Sequence, residues 1–206
     1  FEGDPEGAAM IKISNVDRYL TIQDCKIESD VDVNGVFLTS CSNIVIRANE
    51  ISANQVGCFL SSCTDCQVEE NTCVYAGGVS GIRIENGENC LVIQNVCRMY
   101  KIGVLVRLGQ NHTVTGNNCS LNERSGIFLG GTSGILVSGN DCGWNKDSGL
   151  EIVSSEEVIP ATSVSYALIC ANNFFSNDES NVRSAGGVGN QWAYEPAEIG
   201  NYYDDY

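Results

Sequence analysis

GVLVRLGQNHTVTGNNC, residues 103–119, is followed after a short gap by GIFLGGTSGILVSGNDC, residues 126–142. Both run through the same phrase: Gly, a short apolar run, a polar turn, a second apolar run, then Gly-Asn-x-Cys. Working outward, the opening glycine recurs as Gly35, Gly57, Gly81, Gly103, Gly126 and Gly149, at separations of 22, 24, 22, 23 and 23 residues. A period of this length marks a solenoid, in which one repeat cannot bury its apolar face alone but stacked repeats can.

The phase within each repeat identifies the structure. The first and third residues after the glycine are apolar: Val36/Leu38, Cys58/Leu60, Ile82/Ile84, Val104/Val106, Ile127/Leu129 and Leu150/Ile152. Period two marks a strand with one buried face. In the second run, Ile46, Val68, Val92, Val114 and Val137 each stand three residues before an asparagine. The spacing predicts an all-β, right-handed parallel β-helix of about seven coils with almost no α-helix. At a strand spacing of about 4.8 Å that makes a rod of about 34 Å. Residues 1–206 read as one domain: an edge coil over 8–34, regular coils over 35–148, and an irregular last coil and tail over 149–206, broken by an excursion through Pro160.

Asn49, Asn71, Asn95, Asn117 and Asn140 form the repeated turn position, with Asn172 in the last coil and Cys25 in the first. Asparagine tolerates left-handed backbone and its amide can bond from coil to coil, so a turn ladder is expected. Eight of the 11 cysteines also fall in register. Cys73, Cys97, Cys119 and Cys142 share a column continued by Ile51 and Phe174, which points it inward; Cys41 with Cys63, and Cys66 with Cys90, form two more. Buried thiols acting as small apolar fillers are the first reading, and disulfides between adjacent coils the second. Zinc is disfavoured because the Cys63/Cys66 pair has no second pair at ribbon spacing.

Alternation also assigns an outward column: Phe37, Phe59, Arg83, Leu105, Phe128 and Glu151. Apolar residues facing water in a row suggest a partner, so Phe37, Phe59, Arg83, Leu105 and Phe128 are the interface candidates. Asn111-His112-Thr113 matches the N-x-[ST] glycan acceptor pattern and makes Asn111 the glycosylation candidate; Asn118-Cys119-Ser120 matches it too but abuts the cysteine column.

Composition excludes some classes. With 11 Lys and Arg against 26 Asp and Glu, a net charge of -15 leaves no dense basic stripe for nucleic acid. No apolar run is long enough to span a membrane. The chain opens with Phe1 and not an initiator methionine, which reads as a processed or excised segment.

The pattern G-[apolar]-x-[apolar]…[apolar]-x-G-N-x-C, as in Gly103 to Cys119, resembles the repeats of NosD-like and carbohydrate-binding/sugar-hydrolysis (CASH) β-helix proteins, over nearly the whole chain. The closing Gly200-Asn201-Tyr202-Tyr203-Asp204-Asp205-Tyr206 is similar to the G-N-Y-W-x-D-Y tail of such domains in archaeal surface proteins. The resemblance implies the fold; its members include lyases, epimerases, adhesins and surface-layer proteins. A polygalacturonase-like enzyme would need G-H-G and R-x-K, and an epimerase D-P-H-D; none is present, and Asp4-Pro5 continues into Glu6-Gly7. His112, the one histidine, reads as a turn residue and makes a poor copper site by itself, so no metal or cofactor is expected. No catalytic residue is assigned. The expectation is a non-catalytic surface module, extracellular or at the cell surface in preference to the periplasm, forming homo-oligomers or polymers through the stripe and the open coil ends. The alternative is a carbohydrate-binding or polysaccharide-acting protein.

Overall fold

The computed structural model describes residues 8–153, 163–185, 189–192 and 202–203. The excursion around Pro160, Asp4-Pro5, and the closing tail apart from the Tyr202–Tyr203 strand lie outside the described residues. Among the described residues the chain is all β, without helix, and every strand pairing is parallel. It is a right-handed parallel β-helix.

Three faces wind around one core. The longest is an eight-stranded sheet of Ala9–Ser14, Asn34–Thr39, Val56–Ser61, Ser80–Glu85, Ile102–Arg107, Ser125–Gly130, Ser148–Val153 and Ser180–Ala185. A seven-stranded sheet carries the second apolar run of each coil, from Leu20–Gln23 to Leu168–Cys170. The third face is a four-stranded sheet, Lys26–Ser29 to Val96–Arg98, joined through Asn118 to a three-stranded one that begins at Asp141–Gly143. The inward pairs after each glycine are all fully buried, from Val36 and Leu38 to Leu150 and Ile152. No helix among the described residues is long and apolar enough to cross a membrane.

Register explains the glycine–cysteine pairing. A Cβ on Gly57 would lie 2.5 Å from the Gly81 carbonyl oxygen and 3.0 Å from the Cys73 sulfur; on Gly81 it would lie 2.8 Å from Cys97 Cβ. Each of these glycines is the second residue of its strand, where the next coil's carbonyl leaves no room for a Cβ and a small thiol packs against the space. Cys73, Cys97, Cys119 and Cys142 are stacked in one column between Ile51 and Phe174. Together with Cys58, Cys41, Cys63, Cys66 and Cys90 they are buried thiols, while Cys25 and Cys170 are partly exposed.

Candidate functional site: the outer face of the eight-stranded sheet

The asparagine positions come together as a continuous buried ladder. Asn49 Nδ2 donates to Asn71 Oδ1 at 2.9 Å, Asn71 to Asn95 at 3.0 Å, Asn95 to Asn117 at 3.0 Å, Asn117 to Asn140 at 2.9 Å and Asn140 to Asn172 at 2.8 Å. The backbone N–H of Cys25 ends it on Asn49 Oδ1 at 3.0 Å. A second ladder, Asn122–Asn145–Asn177, holds the corner before the eight-stranded sheet, with Nδ2–Oδ1 bonds of 3.1 and 2.9 Å. Its sequence signal is a fixed place four residues before Gly126, Gly149 and Asn181. These ladders are inside the coils, so function has to be sought on the outer faces.

The expected exposure of the outward column is not what the structure has. Phe37, Phe59, Leu105 and Phe128 are only 8, 6, 7 and 9 % exposed. Register places Lys12, Phe37, Phe59, Arg83, Leu105, Phe128, Glu151 and Arg183 side by side across the eight strands of the sheet. The rings cover one another, Phe37 stacking on Phe59 at 4.8 Å. Cations cover what is left: Lys12 lies over Phe37 at 5.3 Å, Arg83 over Phe59 at 4.7 Å and Arg124 over Phe128 at 5.5 Å. Cation–π contacts of this kind contribute about 0.5–1 kcal/mol each at exposed sites. The physical reason for the difference is lateral: alternation along one strand says which way a side chain points, not how tightly the next coil's side chain lies against it.

The same face gathers charges that looked scattered along the chain. Glu85 pairs with Arg83 at 2.8 Å and Arg107 at 3.6 Å. Glu151, 3 % exposed, accepts from Arg124 at 2.9 Å and Ser125 Oγ at 2.7 Å, with Arg183 at 3.8 Å. Lys12, Arg83, Arg107, Arg124 and Arg183, five of the 11 basic residues in the sequence, stand on or at the edge of this one sheet.

The chain matches a family of known proteins from residue 8 to residue 206, described as periplasmic copper-binding protein (NosD). The chain belongs to the NosD family. Among proteins of curated function none matches the sequence. Solved structures share the fold at low identity. A mutant of the periplasmic alginate epimerase AlgG superposes with a TM-score of 0.81 at 14 % identity, over 95 % of this chain and 48 % of that one. The A-module of the Azotobacter vinelandii mannuronan C-5 epimerase AlgE4 gives 0.61 at 14 %, over 95 % and 73 %. The Dettilon tailspike protein gives 0.52 at 16 %, over 85 % and 46 %. The chain thus spans about half the length of the alginate epimerase.

Copper, named in the family's description, takes imidazole, thiolate and thioether ligands. His112, read as a turn residue, stands in the connection just before the Thr113–Thr115 strand, with its side chain turned into the core. It faces inward in the column of Cys66, Cys90 and Ile135, 1 % exposed, and its Nδ1 accepts the Cys90 backbone N–H at 3.1 Å. Its Nε2 faces backbone, 2.5 Å from where a Gly109 Cβ would stand. Met10 and Met99 are exposed on separate coils, and among the described residues no three His, Cys, Asp or Glu side chains converge as a metal-holding group. These residues do not fit a copper site. Asn111 sits exposed in a left-handed turn, φ 57°, beside Gly134.

Proposed function

We propose that this NosD-family chain is a non-catalytic polysaccharide-binding module of the cell envelope or extracellular space, taking an anionic glycan along the outer face of the eight-stranded sheet. One observation carries the reading: a chain of net charge -15 collects five of its 11 cations on that face, beside three phenylalanines. Against these five cations the face holds Glu85 and Glu151, with Asp147 beside Arg124 at 3.7 Å, which leaves the strip locally cationic on an acidic chain. Arginine forks suit carboxylates, and successive coils repeat the same surface about every 4.8 Å along the rod, which suits an extended polymer. Two of the proteins that share the fold are named for polysaccharides, alginate and mannuronan, which supports this class of partner.

The non-catalytic part rests on how the carboxylates are held. Glu85 and Glu151 are each held between two arginines, which removes the positional freedom a general acid requires. Self-association through the phenylalanine stripe is less well supported, because rings 6–9 % exposed leave little area to bury. Asn111 is proposed as a glycan acceptor on its exposed turn.

The test is titration calorimetry with alginate oligomers and with dextran, at two salt concentrations, on the native protein and the Arg83→Gln/Arg107→Gln pair. Alginate binding that weakens with salt and by about tenfold in the variant, about 1.4 kcal/mol, with dextran inert, supports the proposal. Absence of alginate binding, together with a mass by light scattering that grows with concentration and collapses in Phe59→Asp, would instead establish self-assembly.

A further inference from the structure

A second surface lies at the corner where each coil enters the eight-stranded sheet. Met99, Leu121 and Trp144 occupy equivalent positions in three successive coils, linked by backbone bonds from Met99 N–H to the Leu121 carbonyl and from Leu121 N–H to Gly143. They are 46, 50 and 57 % exposed, and all three have left-handed backbone, φ 64°, 62° and 54°. The other corner columns fill this conformation mostly with Asn, Asp, Ser, Glu, Gln or Gly. A bulky residue in the left-handed region costs about 1–2 kcal/mol, and each of these side chains still leaves about half of its surface in water. Strain and apolar exposure repeated in three coils are not explained by folding.

The ridge is also held rigid. Phe175 meets the Trp144 indole edge-on at 4.8 Å and 83°, and the Phe175 ring lies over Gly143, where a Cβ would come within 2.4 Å of it. The Asn122–Asn145 bond fixes the residues that follow Leu121 and Trp144, and the Tyr100 N–H, next to Met99, donates to Asn122 Oδ1 at 3.3 Å. A cavity of about 270 Å³ opens beside the ridge, with Glu123 and Lys146 at its rim. Two residues beyond the ridge, Lys101, Glu123, Lys146 and Asp178 form an exposed column of alternating sign with no net charge.

These properties select the occupant. Three side chains and one small cavity fall far short of the roughly 1,200–2,000 Å² that a stable protein partner or a second copy would bury. The balanced column gives a polyanion no attraction. A rigid aromatic face rimmed by hydrogen-bonding groups fits a ring that is apolar on one side and polar at its edge. We propose that Met99, Leu121 and Trp144 form a subsite for an uncharged pyranose, which stacks on the indole and bonds Glu123 and Lys146 through its hydroxyls. This rests on the glycan-binding reading and adds a neutral-sugar subsite to it.

The sequence holds two tryptophans, so Trp192→Phe leaves Trp144 as the reporter. Neutral hexasaccharides of glucose, mannose and N-acetylglucosamine are titrated against its fluorescence, with alginate binding measured in parallel. The expected result is an emission shift to shorter wavelength with at least one hexasaccharide, weakened at least tenfold by Glu123→Ala or Lys146→Ala, while Trp144→Ala leaves alginate binding intact. No shift with any of the three at millimolar concentration, with alginate binding retained, overturns the subsite alone. A shift with alginate only, suppressed by salt, overturns it too, because the ridge would then belong to the cationic face. Loss of alginate binding with the neutral-sugar shift intact defeats the cationic-face reading instead, and silence of both probes defeats both.

Discussion

Asn95 Oδ1 accepts two hydrogen bonds from Asn71, one from its backbone N–H at 2.9 Å and one from its Nδ2 at 3.0 Å. Asn95 Nδ2 in turn donates to the Val68 carbonyl, the Ile93 carbonyl and Asn117 Oδ1 at 2.8, 3.0 and 3.0 Å. Asn71 and Asn95 are 0 and 1 % exposed, so bulk solvent does not stand in for a lost partner. Asn95→Ala therefore leaves several groups unsatisfied at about 1–3 kcal/mol each, and a loss of at least about 3 kcal/mol is expected from urea unfolding followed by circular dichroism. Asn89→Gly is the control: it is exposed, with φ 53°, where glycine is at ease, and should change stability by less than about 0.5 kcal/mol. Equal effects of the two would mean that the ladder adds nothing beyond turn geometry.

Glu151 is the most enclosed charge on the outer face. Replacement by Gln keeps one acceptor for Ser125 but removes the charge that faces Arg124 and Arg183. Those arginine side chains are 46 and 60 % exposed and can turn to water. The expected cost is about 1–2 kcal/mol, below the 3–5 kcal/mol of breaking a fully buried pair. A thermal melt that is unchanged in Glu151→Gln would show that the cluster serves binding alone.

The thiols give a third outcome. Burial and donation to neighbouring sulfurs hold Cys97 and Cys142 protonated, with pKa values well above the usual thiol range, and nine of the 11 cysteines are shielded from solvent. Iodoacetamide at neutral pH should add to Cys25 and Cys170 in the folded protein, and to all 11 in denaturant without reductant. Intact mass reads both numbers. Fewer than 11 adducts in denaturant would mean that adjacent coils are joined by disulfides, and early labelling of Cys97 would mean that the core opens.

The solenoid was legible because its information is columnar. Glycine at a fixed phase marks where each strand starts, so Val36, Cys58, Ile82, Val104, Ile127 and Leu150 could be aligned and sent inward without coordinates, and Ile51 and Phe174 in the cysteine column did the same for Cys73 to Cys142. The same rule would have turned His112 inward, since it lies 22 residues after Cys90 and 23 before Ile135; its polar neighbours hid it. Two features were not legible. The burial of Phe59 depends on Phe37 and Arg83 in adjoining coils closing over it, a lateral contact that alternation does not encode. The ridge depends on Leu121 and Trp144 adopting a backbone that their residue types disfavour, so local propensity points away from it.

His112 sets a pH dependence whose sign follows from its burial. Removal from water disfavours the imidazolium and pushes the pKa from 6.5 down to about 4, against smaller opposing contributions from the Cys90 and Gly87 backbone and Glu88. Between those values the unfolded chain binds a proton that the folded chain does not. The stability from the neutral, buried ring is thus fully present above about pH 6.5 and is lost as pH falls toward 4. The size is about 3 kcal/mol at 1.36 kcal/mol per pH unit. Carboxylates titrate at the lower end of the same window, so the difference between native protein and His112→Gln isolates the imidazole. Glutamine can still accept the Cys90 N–H through its side-chain oxygen and has no proton to gain. Urea midpoints measured from pH 7 to pH 4 should converge as pH falls, the native protein losing about 3 kcal/mol more than the variant. Parallel curves would mean that His112 is hydrated or protonated in the folded chain, and that the column it shares with Cys66, Cys90 and Ile135 is open to water.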